Sequence, residues 1–163
     1  MKIEYYHASK YGNGAMVAEE FKTIMTAKGV EVNVHHIRDA KPMELPQADI
    51  YVFSSPGRIG KPIRGMRHFL KNLRLSSGTK YAILTTQGAP RPNKKTGVMP
   101  TEEETARWQR IVPLMDELLQ EKGLKKIVDC VVFVTRIKGP LEEDWQSKVV
   151  TFSADLLKTA KVS

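Results

Sequence analysis

Strands and helices alternate along this chain, and that alternation limits the folds open to it. Apolar residues recur at helical spacing and predict helices over about 15–28, 63–73, 101–122 and 141–159. Five short apolar runs predict strands at Lys2–Tyr6, Val30–His36, Ile50–Ser54, Lys80–Thr85 and Ile127–Thr135. Alternation of this kind produces a parallel sheet covered by helices on both faces. The sequence therefore predicts a single α/β domain over residues 1–163.

Local signals refine this pattern. The second strand alternates between apolar and polar residues, which is typical of a sheet edge. Thr101 and Glu104 form a capping-box pattern at the start of the third helix, and Pro113 is expected to kink that helix. Trp108 and Trp145 stand in helical patterns and are interpreted as core or partly exposed packing residues rather than residues that stack on a ligand. Cys130 is the only cysteine and is interpreted as a buried strand thiol.

Ligands of parallel sheets bind beyond the carboxyl ends of the strands, so function is sought in the loops 7–14, 55–62 and 86–100. The first loop reads Ser9-Lys10-Tyr11-Gly12-Asn13-Gly14 and leads into a helix. Its glycines allow a tight turn, and the helix that follows contributes unpaired N–H groups and the positive end of its dipole. This arrangement predicts a phosphate cradle. His7 lies just before it and is interpreted as a loop histidine rather than a ligand.

Three other phosphate-related sites fit the chain poorly. A nicotinamide site needs GxGxxG directly after the strand, but five residues separate Tyr6 from Gly12, and position 17 is Val. A phospho-receiver domain needs an acceptor aspartate after the third strand, where Ser54 and Ser55 stand. A Walker loop is excluded because the chain has no GxxxxGK[ST].

The first loop resembles the phosphate loop of flavodoxins, which has the form [ST]-x-[ST]-G-[NT]-[TS]. Tyr11 and Gly14 stand where hydroxyl residues are common in that family, and Lys10 is expected to compensate with a charged contact. The resemblance implies a flavodoxin-like three-layer sandwich, a five-stranded sheet of order 2-1-3-4-5 and bound FMN.

The resemblance also assigns the other two loops to the flavin ring. In the second loop, Ser55-Pro56-Gly57-Arg58-Ile59-Gly60 would lie beside the ring, and the pattern continues as Lys61-Pro62. This pattern is similar to a flavodoxin-like subgroup that includes menaquinone-dependent protoporphyrinogen dehydrogenases. In the third loop, Thr86-Gln87-Gly88-Ala89-Pro90 would close the other side. Neither loop carries the aromatic residue that is common there in short-chain flavodoxins.

The charge distribution indicates an anionic partner. The formal net charge is +8, and no Asp or Glu occurs between Asp49 and Glu102. In the second helix, Arg64, Arg67, Lys71 and Arg74 form a basic stripe. The candidate partners are an acidic ferredoxin or reductase, a porphyrin propionate, or a quinone at an anionic membrane surface. Nucleic acid is not expected, because the aromatic residues of this window occupy core-like positions.

Two functions are predicted from this combination, with a third left open. The first is an FMN electron carrier, in which the flavin performs the redox chemistry and no protein residue is catalytic. The second is an FMN-dependent oxidoreductase of the quinone or protoporphyrinogen type. The third is a basic binding module without flavin. No metal site is predicted, and the absence of a signal peptide before the first strand makes the cytoplasm the expected compartment.

Overall fold

A five-stranded parallel sheet forms the centre of the computed structural model, which describes residues 1–162. Its strands are β1 (Lys2–His7), β2 (Glu31–His36), β3 (Ile50–Ser54), β6 (Lys80–Gly88) and β7 (Lys125–Val134). Two short strands, β4 (Gly57–Arg58) and β5 (Lys61–Pro62), form a separate antiparallel hairpin. The order of the main sheet is β2-β1-β3-β6-β7. Counted without the hairpin, this is the order 2-1-3-4-5, so the predicted topology is confirmed.

Helices cover both faces of the sheet. They are α1 (Asn13–Ala27), α2 (Arg64–Lys71), α3 (Glu102–Trp108), α4 (Ile111–Gln120) and α5 (Trp145–Val162), with one 3-10 turn at Ile37–Asp39. On one face, α1 and α5 pack together around Phe21 and Phe152. On the other face, α2 and α4 enclose Met66, Leu70 and Met115. The two apolar clusters and the sheet between them make the predicted three-layer sandwich.

The position of each strand follows from its residues. Every residue of the central strand β3 (IYVFS) is buried, because the strand is covered on both faces and paired on both sides. In β2 only Val32 is fully buried, and this strand lies at the predicted edge. None of the described helices is long and apolar enough to cross a membrane.

β7 forms the opposite edge of the sheet, and side chains cover part of its free side. The Phe133 N–H donates to the Glu142 carboxylate, and the Lys148 ammonium donates to the Val131 carbonyl at 3.3 Å. Val134 is bridged by Leu141. Glu142 and Lys148 also pair with each other at 2.9 Å. Groups that would otherwise accept another strand are therefore already bonded.

The third helix differs from its prediction. Two helices, α3 and α4, replace the single kinked one, and the chain is extended between them at Gln109, with φ −94° and ψ 100°. Pro113 is the third residue of α4, where its missing N–H costs no intrahelical hydrogen bond. The predicted kink at Pro113 is therefore wrong, and the break lies one turn earlier. The capping box of Thr101 and Glu104 is confirmed.

β6 is longer than predicted. It continues through Thr86, Gln87 and Gly88, which pair with Val132, Phe133 and Val134 of β7. The loop predicted to begin at residue 86 therefore begins at Ala89, whose N–H donates to the Val134 carbonyl at 2.9 Å. The extension arises because β7 runs far enough to provide a partner, which a local pattern in β6 does not reveal. α5 likewise begins at Trp145 rather than near Leu141.

Candidate functional site

The three predicted loops meet in one cleft of about 1470 Å³ at the carboxyl ends of the strands. Most of the predicted site residues line it: Ser9, Lys10, Tyr11, Asn13, Gly14, Pro56, Gly57, Arg58, Ile59, Gly60, Thr86, Gln87, Gly88, Ala89 and Pro90. Gly12 and Ser55 do not line the cleft and instead shape the loops behind it. The parallel sheet brings these segments together because its loops at this end all project to the same side.

The first loop presents backbone donors to the cleft. Gly12 is the N-cap of α1 and has φ 94°, a conformation that favours glycine. No side chain caps this helix, so the N–H groups of its first turn, at Asn13 and Gly14, have no acceptor within the helix. The Gly12 N–H donates to Ser9 Oγ at 3.1 Å, which folds the loop back on itself. The result is an uncapped, positively polarised helix end that faces the cleft.

Two histidines support this loop from behind. The Ser9 N–H donates to Nδ1 of His7 at 3.2 Å. His36 accepts the Arg38 N–H at its Nδ1, so its Nε2 donates to the Ser9 carbonyl at 3.0 Å. His7 is 7% exposed, and burial, together with the neighbouring His36, lowers its pKa to about 4. His7 is therefore a neutral acceptor that holds the loop, and it does not line the cleft.

The second loop is a hairpin with an unusual turn. Ile59 and Gly60 occupy its two central positions with φ 52° and φ 71°, and left-handed values at both positions are typical of a type I′ turn. Ile59 is the only described non-glycine residue with positive φ, and its side chain is 73% exposed. A Cβ at Gly60 would collide with the carbonyl of Trp108. The Arg110 N–H donates to the Gly60 carbonyl at 2.6 Å, which fixes the α3–α4 junction to the turn.

Ser55 secures the base of the hairpin. Its N–H donates to Thr85 Oγ1 at 2.8 Å, and the Thr85 hydroxyl donates back to the Ser55 carbonyl at 2.6 Å. Its own hydroxyl donates to the Pro56 carbonyl at 2.8 Å and accepts the Ile63 N–H at 3.1 Å. Ser55 is fully buried, so it positions the loop rather than offering a contact in the cleft.

Trp108 lines the cleft, which the sequence reasoning missed. It is 64% exposed, whereas it was expected to pack against the fold. No residue of α3 is buried, and Pro100, Glu104, Thr105 and Gln109 line the cleft beside it. The available signal was the composition of α3, EEETARW, which has no apolar face to hold a tryptophan inside. Trp145, by contrast, packs against the α1–α5 core as predicted.

The cleft is strongly cationic. Its lining contains seven basic residues and one acidic residue, Glu104; the basic ones are Lys10, Arg58, Lys61, Arg64, Arg67, Arg91 and Arg136. Within residues 1–162 none of the seven makes an ion pair. Nε of Arg67 is buried and has no hydrogen-bond partner among these residues. Of the predicted basic stripe, Arg64 and Arg67 reach the cleft, whereas Lys71 and Arg74 do not.

Other reactive side chains lie elsewhere. Cys130 is partly buried in β7, and burial raises the pKa of its thiol, which makes it a poor nucleophile. Across the described part of the chain, no group of three His, Cys, Asp or Glu side chains is arranged to hold a metal ion. The chemistry that this cleft offers is therefore anion binding beside an apolar surface.

Comparison with known proteins supports the fold. No family model matches the sequence, and no curated protein matches it. A flavodoxin from the domain Archaea is similar with a TM-score of 0.71, 18% identity and 99% coverage of both chains. Oxidised flavodoxin 1 from Bacillus cereus gives a TM-score of 0.69 and 20% identity, with 97% of this chain and 98% of that chain covered. The rubredoxin:oxygen oxidoreductase from Desulfovibrio gigas gives 0.70 and 10% identity, and covers 99% of this chain but 36% of that one. The chain has the flavodoxin-like fold.

Proposed function

We propose that this chain is an FMN-binding redox protein. The observation that carries the proposal is the cleft itself, in which an uncapped glycine loop faces the same space as the hairpin turn and the end of β6. The fold is that of flavodoxins, and three separate loops converge on the same place. A mononucleotide with one phosphate and one planar ring matches this combination of backbone donors and apolar side chains.

The residues present fit such a ligand. The phosphate would be held by the N–H groups at the start of α1 and by the ammonium of Lys10. The ring would lie between the Ile59–Gly60 turn and the segment Gly88–Pro90. His7 and His36 keep the phosphate loop in place, and Ser55 keeps the hairpin in place.

FMN, when bound, would supply transfer of one or two electrons, and the protein would supply orientation and electrostatics. The positive charges of Arg58, Lys61 and Arg64 would stabilise the more negatively charged redox form of the bound cofactor. Every 1.4 kcal/mol or so of such differential stabilisation shifts the equilibrium tenfold. The hairpin, α3 and Trp108 would limit access of water to the ring. No side chain is assigned a bond-making role.

An electron carrier is the first form of this function. The cationic rim would attract an acidic redox protein such as a ferredoxin or a reductase, and this attraction would raise the rate of encounter at low salt. The rate of electron exchange with such a partner is then expected to fall steeply as salt is added. A rate independent of salt would contradict this form.

An FMN-dependent oxidoreductase is the second form, and the shape of the site favours it. The cations line a concave cleft, and α3 with Trp108 adds a wall to one side of it. A cleft of about 1470 Å³ is larger than one flavin mononucleotide requires and would admit a small substrate. Quinones and protoporphyrinogen are the substrates that the sequence pattern of the second loop suggests.

Titration of the apo-protein with FMN tests the proposal, with flavin fluorescence as the readout. Gly12→Ala is expected to weaken FMN binding at least about tenfold, because it strains the loop that exposes the N–H groups. Gly29→Ala is the matched control: its φ is 80°, its surroundings are equally open, and it lies outside the cleft. Failure of the wild-type protein to bind FMN, or equal weakening by both variants, would contradict the proposal.

Stepwise anaerobic reduction of the FMN-loaded protein, followed by absorbance, separates the two forms. Two resolved one-electron steps are expected of a carrier. Direct two-electron reduction is expected of an oxidoreductase, and would direct the next assays to quinones and protoporphyrinogen.

A further inference from the structure

We propose that the cleft binds a second ligand beside the flavin, a small organic anion with a planar apolar body. Its anionic groups would pair with Arg58, Lys61, Arg64 and Arg67, and its body would lie against Trp108. The inference deepens the oxidoreductase form of the proposed function and rests on it for the presence of the flavin. The anion subsite itself stands on residues outside the phosphate loop.

The first argument is the excess of positive charge. One phosphate is provided for by the N–H groups of the first loop and by Lys10. The six remaining cations of the cleft have no carboxylate within ion-pair distance in the described structure. Like charges gathered without counter-charges repel each other, and a bound anion removes that cost.

The second argument is the state of Arg67. This residue lines the cleft, yet its Nε is shielded from solvent and meets no acceptor among residues 1–162. A buried donor without an acceptor is destabilising, and guanidinium offers donors in a fork that matches a carboxylate or phosphate. Because Nε itself is closed to solvent, an anion in the cleft would pair with the outer part of this guanidinium.

The third argument is the size and lining of the cleft. About 1470 Å³ exceeds the roughly 300–1,000 Å³ of ordinary small-molecule sites, so one mononucleotide leaves space. Trp108, Ile59 and Ile137 expose most of their side chains, and all three line the cleft. Apolar surface beside unpaired cations suits a molecule with a flat hydrocarbon body and acidic groups. The volume and the mixed cationic and apolar lining therefore favour a small organic anion over an acidic protein.

Calorimetric titration with naphthalene-2,6-dicarboxylate tests the inference on the FMN-loaded protein and on the apo-protein. We expect saturable binding with bound FMN retained, and affinity at least about tenfold above that of the uncharged naphthalene-2,6-dimethanol. Arg67→Met should weaken binding of the dicarboxylate about tenfold or more. Lys71 lies one turn further along α2 and outside the cleft. The control variant Lys71→Met should therefore leave the affinity for the dicarboxylate unchanged.

Each other outcome overturns the inference. Equal binding of the diol would show an apolar pocket without an anion subsite, and release of FMN by the dicarboxylate would place the probe in the flavin site. Equal loss in both variants would show a general charge effect. Arg64→Met gives a second test should Arg67→Met fail to fold. Failure of FMN to bind would remove the proposed function, but the apo-protein would still report on the anion subsite.

Discussion

His7 and His36 hold the first loop of the cleft, residues 9–14, through opposite hydrogen-bonding roles. His7 accepts the N–H of Ser9, and His36 donates to the carbonyl of the same residue. The bond from Ser9 to His7 requires a neutral His7, because a protonated ring loses its acceptor nitrogen. The low pKa of His7, about 4, keeps the ring neutral through the physiological range. The geometry of the loop therefore depends on a group that burial keeps neutral above about pH 4.

This dependence predicts a pH effect on stability. The pKa of His7 is lower in the folded protein than the usual 6.5, so the unfolded chain binds more protons between about pH 4 and pH 6.5. The contribution of His7 to the free energy of unfolding should therefore rise with pH across this window and level off above it. His7→Asn keeps an acceptor for the Ser9 N–H and should flatten this part of the profile. His68→Asn, at an exposed position, should leave the profile unchanged in urea unfolding series at several pH values.

The prediction would be contradicted if the free energy of unfolding rose with pH equally steeply in wild type and His7→Asn between about pH 4 and 6.5. FMN affinity gives an independent check: it should stay constant through the upper part of this range, where folded His7 is neutral, and fall only as the pH approaches about 4, where protonation of His7 loosens the loop.

At the scale of elements, the hairpin of β4 and β5 depends on a residue that fits its turn poorly. A type I′ turn requires positive φ at both central positions, and isoleucine pays a steric cost there that asparagine largely avoids. The side chain of Ile59 is mostly exposed, so it gains little from burial in return. Such a residue is retained at a cost to stability.

Ile59→Asn is therefore expected to stabilise the protein by about 1 kcal/mol, measured as the free energy of unfolding in urea. Ile137→Asn is the matched control, because that isoleucine is 79% exposed, lines the same cleft and has no positive φ. Ile137→Asn should show no increase in the free energy of unfolding. A loss of stability in Ile59→Asn would mean that the isoleucine side chain packs more than its exposure indicates.

The elements also show what the sequence reveals and where it stops. Periodicity identified the five main strands and their helices, because burial on one or both faces leaves a local signature. It missed the extension of β6, which depends on the length of β7, and the break at Gln109, which a bond between Arg110 and Gly60 fixes across the fold. The site followed the same rule. Loops at the carboxyl ends of strands were predictable from topology, whereas Trp108 and Arg136 reach the cleft only through tertiary structure.

At the scale of the whole molecule, charge is the dominant property. The acid-free stretch between Asp49 and Glu102 supplies the hairpin, α2 and the end of β6, and these segments surround the cleft. The resulting positive field acts on any ligand and on any partner that approaches the cleft.

Charge reversal tests the reach of this field. The combined variant Arg58→Glu, Lys61→Glu and Arg64→Glu should lower the reduction potential of bound FMN by tens of millivolts, since about 59 mV corresponds to a tenfold change for one electron. Lys22→Glu, Lys28→Glu and Lys158→Glu change the net charge equally, at positions that do not line the cleft. Potentiometric titration of both variants provides the comparison. Equal shifts in both would show that only net charge matters, and no shift in either would contradict the electrostatic account.

The covered edge of β7 has a consequence for how copies of this protein interact at high concentration. A sheet grows by adding strands, and a free strand of alternating apolar residues is a template on which a neighbouring molecule can extend. Glu142 and Lys148 occupy two of the bonding positions along this template, and Leu141 occupies a third. These three residues come from the segment that leads into α5 and from α5 itself, so the chain covers part of its own sheet edge. Edge-to-edge joining of copies into a fibre is thereby disfavoured at this side.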